Sequence, residues 1–114
     1  MKIATFQGPV VFGDADANLA TTESALAEAE SRGAEILAMP ETFLHGFFSP
    51  QKFTTEFAVD LQGPFFQSVL RRFKKFECTL LLGLNEGLFR LLLIRNVPNN
   101  PNSAPLIIYL DGRK

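Results

Sequence analysis

Two short apolar runs, Ile3-Ala4-Thr5-Phe6 and Ile36-Leu37-Ala38-Met39, are separated by one amphipathic segment, and that spacing leaves few folds open. Strand, helix and strand in succession make a βαβ unit. Its two strands lie parallel, because the helix carries the chain back across the sheet. The helix is predicted over residues 15–32, where Leu19, Thr22, Leu26 and Ala29 recur at helical spacing on one face. The alanines among them give high helix propensity. Asp14 or Asp16 can cap its start by accepting a free first-turn N–H. Gly33 ends it, since glycine adopts the left-handed conformation without penalty. A first strand that begins almost at Met1 is expected at the centre of an α/β sheet.

Pro40 and Glu41 follow the second run directly. Proline cannot donate a ladder hydrogen bond, so it closes a central strand or lies just past it. Ligands of open α/β sheets bind outside the carboxyl ends of the strands, and Glu41 falls there. Phe43, Phe47 and Phe48 come next, and apolar surroundings raise a carboxyl pKa by disfavouring the charged form. That is how a general base is prepared. A surface glutamate capping the following turn fits the same local pattern. His45 can orient Glu41 or a substrate, or serve as a polar turn residue.

Ser49-Pro50 and Gly63-Pro64 each open a further helix, with proline at the first helical position. Phe53 and Phe57 share a face of the first. The second is predicted over 64–76, with Phe65, Val69, Phe73 and Phe76 as its apolar stripe. Arg71, Arg72, Lys74 and Lys75 near its end read as a basic patch or as the solvated face of an amphipathic helix. A buried strand over 79–83 leads to a second strand-end acid, Glu86. Leu88 to Ile94 is an apolar run interrupted by Arg90 and followed by Arg95. Asn96 to Pro105 reads as a loop, and 106–110 as a strand. Asp111-Gly112 is a hairpin signal. A hairpin needs a returning strand, and only Arg113 and Lys114 follow, so the pattern asks for more chain than is present.

The 114 residues suffice for one domain, taken as 1–114, with one core. A net charge of -1 does not point to a nucleic-acid or anionic-membrane partner, and none is expected. Twelve Phe and no Trp imply a core or pocket lined by rings. The opening segment lacks the apolar stretch of a signal peptide, and no run is long enough to span a bilayer. A cytoplasmic protein is expected. There is no P-loop, and Gly8-Pro9-Val10-Val11-Phe12-Gly13 is not a dinucleotide fingerprint, so no cofactor is expected. One His and one Cys make no metal cluster. Cys78 begins a buried strand, where a thiol behaves as a small hydrophobe rather than a nucleophile.

Taken together, these segments resemble the N-terminal portion of the carbon–nitrogen hydrolase (nitrilase/amidase) superfamily. The likeness lies in Lys2 to Gln7, in Asp16-Ala17-Asn18-Leu19, and above all in Gly33-Ala34-Glu35-Ile36-Leu37-Ala38-Met39-Pro40-Glu41-Thr42-Phe43. Leu82-Gly83-Leu84-Asn85-Glu86 and Asn102 to Ile108 with Asp111-Gly112 continue it. The resemblance implies an α/β fold, the N-terminal part of a four-layer αββα sandwich incomplete at its C-terminus. It implies attack on an amide or nitrile carbon by a Cys thiolate, with a Glu base and a Lys beside the tetrahedral intermediate. Of these three, the Glu maps onto Glu41. Lys114 comes too soon after the Asp-Gly pair, and Cys78 does not match the cysteine motif. The partners implied are a small-molecule amide or nitrile and, for the full-length form, further copies of the chain. The missing second sheet would leave apolar surface around Leu80, Leu82, Ile107 and Leu110 uncovered. Between Glu86 and Asn102 the sequence departs from the family, with Pro101 where Tyr is favoured, which puts the pairing of that strand in question.

Overall fold

The structure, a computed structural model, describes residues 1–40, 43–46, 59–85, 89–95 and 106–111. The elements run β1 (Ile3–Thr5), α1 (Ala15–Ser31), β2 (Ile36–Ala38), α2 (Pro64–Phe73), β3 (Thr79–Asn85), β4 (Phe89–Arg95) and β5 (Leu106–Asp111). They build a five-stranded sheet in the order β1-β2-β3-β4-β5. β1, β2 and β3 are parallel, as the βαβ spacing requires, and β4 and β5 add antiparallel. Backbone bonds from Glu35 N to Lys2 O and from Phe6 N to Ala38 O extend the first ladder beyond the strand ends.

Each new strand joins on the same side of the one before it, so β1 is left at the rim rather than at the centre. Ile3 is 58% exposed there. β2 lies one strand in, and Leu37 is buried. The apolar run with two arginines is a paired strand after all. β4 pairs from Leu80↔Ile94 to Asn85↔Phe89 on one side and from Arg95↔Leu106 to Arg90↔Asp111 on the other. Its arginines occupy the second and last positions, so the middle of the strand stays apolar.

α1 starts at Asp14, whose side chain accepts the Ala17 N–H at 3.0 Å. It ends at Gly33 with φ +79°. Gly33 N donates to Glu30 O and Ala34 N to Ala29 O, the paired bonds of a Schellman stop. Lys2 Nζ takes a further terminal carbonyl, that of Arg32, at 2.7 Å. Leu19, Thr22, Leu26 and Ala29 are buried as the periodicity predicts, and Asn18 joins them. On α2 the buried residues are Phe66, Val69, Leu70 and Phe73. Phe65, predicted on that stripe, is 40% exposed. The i, i+3, i+4, i+7 set that faces the sheet is 66, 69, 70 and 73, which turns Phe65 to the flank.

The basic cluster on α2 is not wholly solvated. Arg72 Nε meets Glu23 Oε1 of α1 at 2.7 Å, and Lys75 approaches the same carboxylate at 3.6 Å. Both helices therefore cover one face of the sheet. Leu80, Leu82 and Leu84 of β3 point into that layer and are buried. The expectation that Leu80 and Leu82 would be uncovered fails because these are the helix-facing residues. The row without a helix layer contains Ile36, Ala38 and Leu81, all partly exposed. In the backbone register Leu81 stands opposite Leu93, and Leu93 opposite Ile108. The helix predicted from Ser49-Pro50, with Phe53 and Phe57, lies outside the described residues, as do Glu86 and the Gly112 side of the hairpin signal. No helix among the described residues is long and apolar enough to cross a membrane.

Candidate functional site

The carboxyl ends of β1, β2 and β3 meet at two connections. The first is the loop from Gly8 to Asp14, and the second is the turn that leaves β2 at Met39-Pro40. Glu41 itself, with Thr42, Phe47 and Phe48, lies outside the described residues. Met39 N donates to Leu81 O at 3.0 Å and Leu44 N to Gly83 O at 3.2 Å, which holds both sides of the turn against β3. Phe43 N donates to Pro40 O at 3.2 Å.

The two connections are tied to each other. Gly13 N donates to His45 O at 2.8 Å. Gly46 has φ +92°, and a Cβ there would lie 3.3 Å from Phe12 Cδ2 and 3.7 Å from Phe12 Cα. Glycine is needed at 46 for both reasons, the backbone angle and the close approach of Phe12. The Asn18 side chain completes the junction. Its Oδ1 accepts from Val11 N at 2.8 Å. Its Nδ2 donates to Val11 O at 2.8 Å and to Leu44 O at 3.0 Å. Asn18 stands in Asp16-Ala17-Asn18-Leu19, a segment of the family resemblance at the helix start, and no local pattern signals this contact. Its partners are 7 and 26 residues away.

Phe43 is not a wall of an open pocket. Its ring is buried and meets Phe6 edge-on at 5.4 Å between centroids. Among the described residues, the exposed apolar ones at this end of the sheet are Val10, Val11, Phe12 and Phe65. His45 sits among them, half-buried, with its ring 6.4 Å from that of Phe65. Burial lowers its pKa from the ordinary histidine value, so at neutral pH the ring is uncharged.

Cys78 lies at the other end of the sheet. Thr79 registers with Ile36, which puts Cys78 at the level of Glu35. Five positions separate Glu35 from Pro40, about 16 Å along a strand. The thiol is buried, and burial, with the Glu30 carboxylate second, pushes its pKa up. A protonated thiol at the amino ends of the strands is no partner for groups at their carboxyl ends. A cavity of about 540 Å³ lies between the outer edge of β1 and α1, lined by Phe6, Gln7, Thr21, Glu28 and Arg32 among others. Among the described residues of the turn after β2, none borders it.

Comparison with known proteins places this arrangement. The carbon–nitrogen hydrolase family matches residues 2–90. No curated protein matches the sequence. A CN-hydrolase superfamily protein from Xanthomonas campestris, solved with an arsenic adduct in its active site, superposes with a TM-score of 0.68 at 19% identity. The match covers 98% of this chain and 40% of that one. An amidase from Nesterenkonia sp. gives 0.70 at 18% identity, covering 100% of this chain and 49% of its own. A glutamate-to-glutamine variant of the amidase from Nesterenkonia sp. AN1, with acrylamide added to its active-site cysteine, gives 0.73 at 21% identity over 97% and 43%. The chain thus spans less than half the length of each of these structures, and the likeness to them is one of fold.

Proposed function

The chain belongs to the carbon–nitrogen hydrolase family, and on that premise we propose that it is the glutamate-bearing N-terminal part of a hydrolase for small amides or nitriles. Glu41 is the general base of this reading. The observation that carries it is the turn after β2, which leaves a parallel strand at its carboxyl end and is fastened to β3 and to the loop after β1 by backbone bonds from Leu44 and Gly13. A base must be held within hydrogen-bond reach of the proton it moves, and a fastened turn meets that need.

In this reading Glu41 takes the proton of a cysteine thiol, and the thiolate attacks the amide or nitrile carbon. A lysine ammonium stabilises the tetrahedral intermediate. From an amide, ammonia leaves with the proton that Glu41 took up, and a water deprotonated by the same carboxylate then releases the acid, the proton returning to the thiol. A nitrile, whose first adduct is a thioimidate, adds one further water before ammonia leaves. The buried position of Cys78, at the far ends of the strands, supports a cysteine and lysine supplied by sequence after Lys114. The 114 residues then form a single structural unit, active once joined to that remainder, cytoplasmic and homo-oligomeric in the full-length form.

The coding sequence beyond Lys114 tests this first. It is expected to encode a strand carrying a lysine and a later strand ending in cysteine. The extended protein is expected to release ammonia from short amides or nitriles, with Glu41→Gln lowering turnover by about 100-fold or more. The 114-residue chain alone is expected to release none, since covalent catalysis needs nucleophile and base together. A gene that ends at Lys114 would instead make the chain a non-catalytic α/β module.

A further inference from the structure

We propose that Asn18 is a positioning residue that sets the turn after β2, and with it Glu41, against the loop after β1. The proposal rests on the reading of Glu41 as general base. Asn18 is 1% exposed in the first turns of α1. Burying an amide is unfavourable unless its groups are paired, and asparagine is a poor helix-interior residue. Here the side chain bonds to no carbonyl or N–H of its own helix. It mimics a strand edge toward Val11, accepting its N–H and donating to its carbonyl, both at 2.8 Å. The second amide hydrogen goes to Leu44 O at 3.0 Å.

Leu44 is fully buried, so solvent cannot substitute at its carbonyl. Among the described residues the Leu44 backbone is fastened twice, by its N–H to Gly83 of β3 and by its carbonyl to Asn18. The orientation of the amide follows from its partners, because two carbonyls demand the nitrogen and one N–H demands the oxygen. One side chain therefore joins α1, the β1 loop and the Glu41 turn. Such a contact fixes where a catalytic group stands without touching substrate.

The experiment uses the protein extended past Lys114, with Asn18→Asp and Asn18→Leu, both close in shape, and Thr22→Val as a control. Thr22 is equally buried and bonds to the Asn18 carbonyl rather than to the loops. Amide exchange is followed at Gly13 and Leu44, and at Leu37 and Leu82 of the sheet. Glu41 is titrated by carboxyl carbon NMR, and His45 by its ring signal. In both Asn18 variants protection at Gly13 and Leu44 is expected to fall about tenfold or more, with the sheet amides unchanged. The Glu41 titration is expected to move by about half a pH unit or more, and His45 to rise toward its ordinary value. Thr22→Val is expected to leave all of these in place. An unchanged Glu41 titration while Leu44 loosens overturns the proposal. So does an even loss of protection across the sheet, no change at all, or failure of both Asn18 variants to fold, each of which assigns Asn18 to stability alone or to nothing. Failure of the base reading shows elsewhere, as turnover in the extended protein that survives Glu41→Gln.

Discussion

Glu30, in the last turn of α1, accepts the backbone N–H of Cys78 at 2.8 Å with the same carboxylate oxygen that accepts from Glu77 N. One side chain thereby ties the end of the first helix to the start of β3, 48 residues on. Glu30→Ala leaves two backbone donors without that acceptor. It is expected to destabilise the chain by about 1–2 kcal/mol, at the modest end for lost hydrogen bonds because the site is only partly buried. Glu30→Gln keeps an acceptor oxygen and is expected to cost less than half as much. Urea unfolding of the two variants against the parent chain measures both, and equal losses would mean that charge rather than the hydrogen bonds matters.

The same contact governs the thiol. Burial raises the Cys78 pKa, and the Glu30 charge adds to it. Thiolate is the reactive form. Iodoacetamide is therefore expected to alkylate native Cys78 at pH 8 about 100-fold more slowly than the urea-unfolded chain. Glu30→Gln removes one of the two causes, so the thiol pKa falls and the native rate rises. Rapid alkylation of the parent chain would show that the thiol is open and would reopen its candidacy as a nucleophile.

Arg72 and Glu23 join α1 to α2 at 2.7 Å, with side chains 31% and 23% exposed. A double-mutant cycle, Arg72→Ala with Glu23→Ala, is expected to give a coupling of about 0.5–1 kcal/mol, near the upper end for pairs still in contact with solvent. Raising salt to 1 M should reduce it, because partly exposed charges are screened. A coupling indifferent to salt would indicate side-chain packing rather than charge.

The sequence carries the βαβ unit because both strands are short and apolar and the helix between them has a cap, a stripe and a glycine stop. Asp14 and Gly33 do what their local chemistry dictates, independently of the rest of the fold. The place of β1 at the rim was not legible, since strand order is decided by which side each later strand joins. β4 was obscured by Arg90 and Arg95, whose positions near the strand ends become clear only from the register. For the site, the Met39-Pro40 end of a parallel strand could be read from the chain, while Glu41 lies outside the described residues. Asn18 could not, because a buried amide serving partners 7 and 26 residues away leaves no local periodicity.

His45 gives the turn a pH response. Its folded pKa lies below its ordinary value through burial, about 6.5 for an exposed histidine. The unfolded chain then binds the proton first as pH falls. Stability from the neutral buried ring is present above about pH 6.5 and is lost as pH drops toward the lower folded value. Comparing urea midpoints of the parent chain and His45→Gln at pH 7.5 and pH 5.5 isolates this contribution from the carboxylates common to both. The parent chain is expected to lose more on acidification than the variant. An equal loss in the two would mean that the ring titrates as if exposed.

The remaining prediction concerns the face of the sheet that the helices leave bare. α1 and α2 both lie on one side, held together by the Arg72–Glu23 pair. On the other side the cross-strand row contains Ala38 and Leu81, with Ile36 and the 58% exposed Ile3 beside it. Each side chain of this size is worth about 1.5–3 kcal/mol when it passes from water into an apolar contact. Ile3, Ile36, Ala38 and Leu81 thus make an apolar patch across β1, β2 and β3 that no helix covers among the described residues, and contiguous patches of this kind are uncommon on monomeric proteins. The 114-residue chain studied by itself is therefore expected to self-associate at micromolar concentration and to bind an apolar dye. Sedimentation velocity should show species heavier than the 12.7 kDa chain. Ile36→Lys with Leu81→Lys places two charges on the bare face while leaving the helix-facing Leu37, Leu80 and Leu82 intact. That pair is expected to shift the distribution toward monomer with the far-ultraviolet dichroism unchanged. The counterpart, Arg71→Glu with Lys74→Glu on the exposed flank of α2, alters charge on the helical side and is expected to leave association as it was. A parent chain that sediments as a monomer and binds no dye would mean that this face is covered within the chain itself, and would remove the reason to look for a second layer.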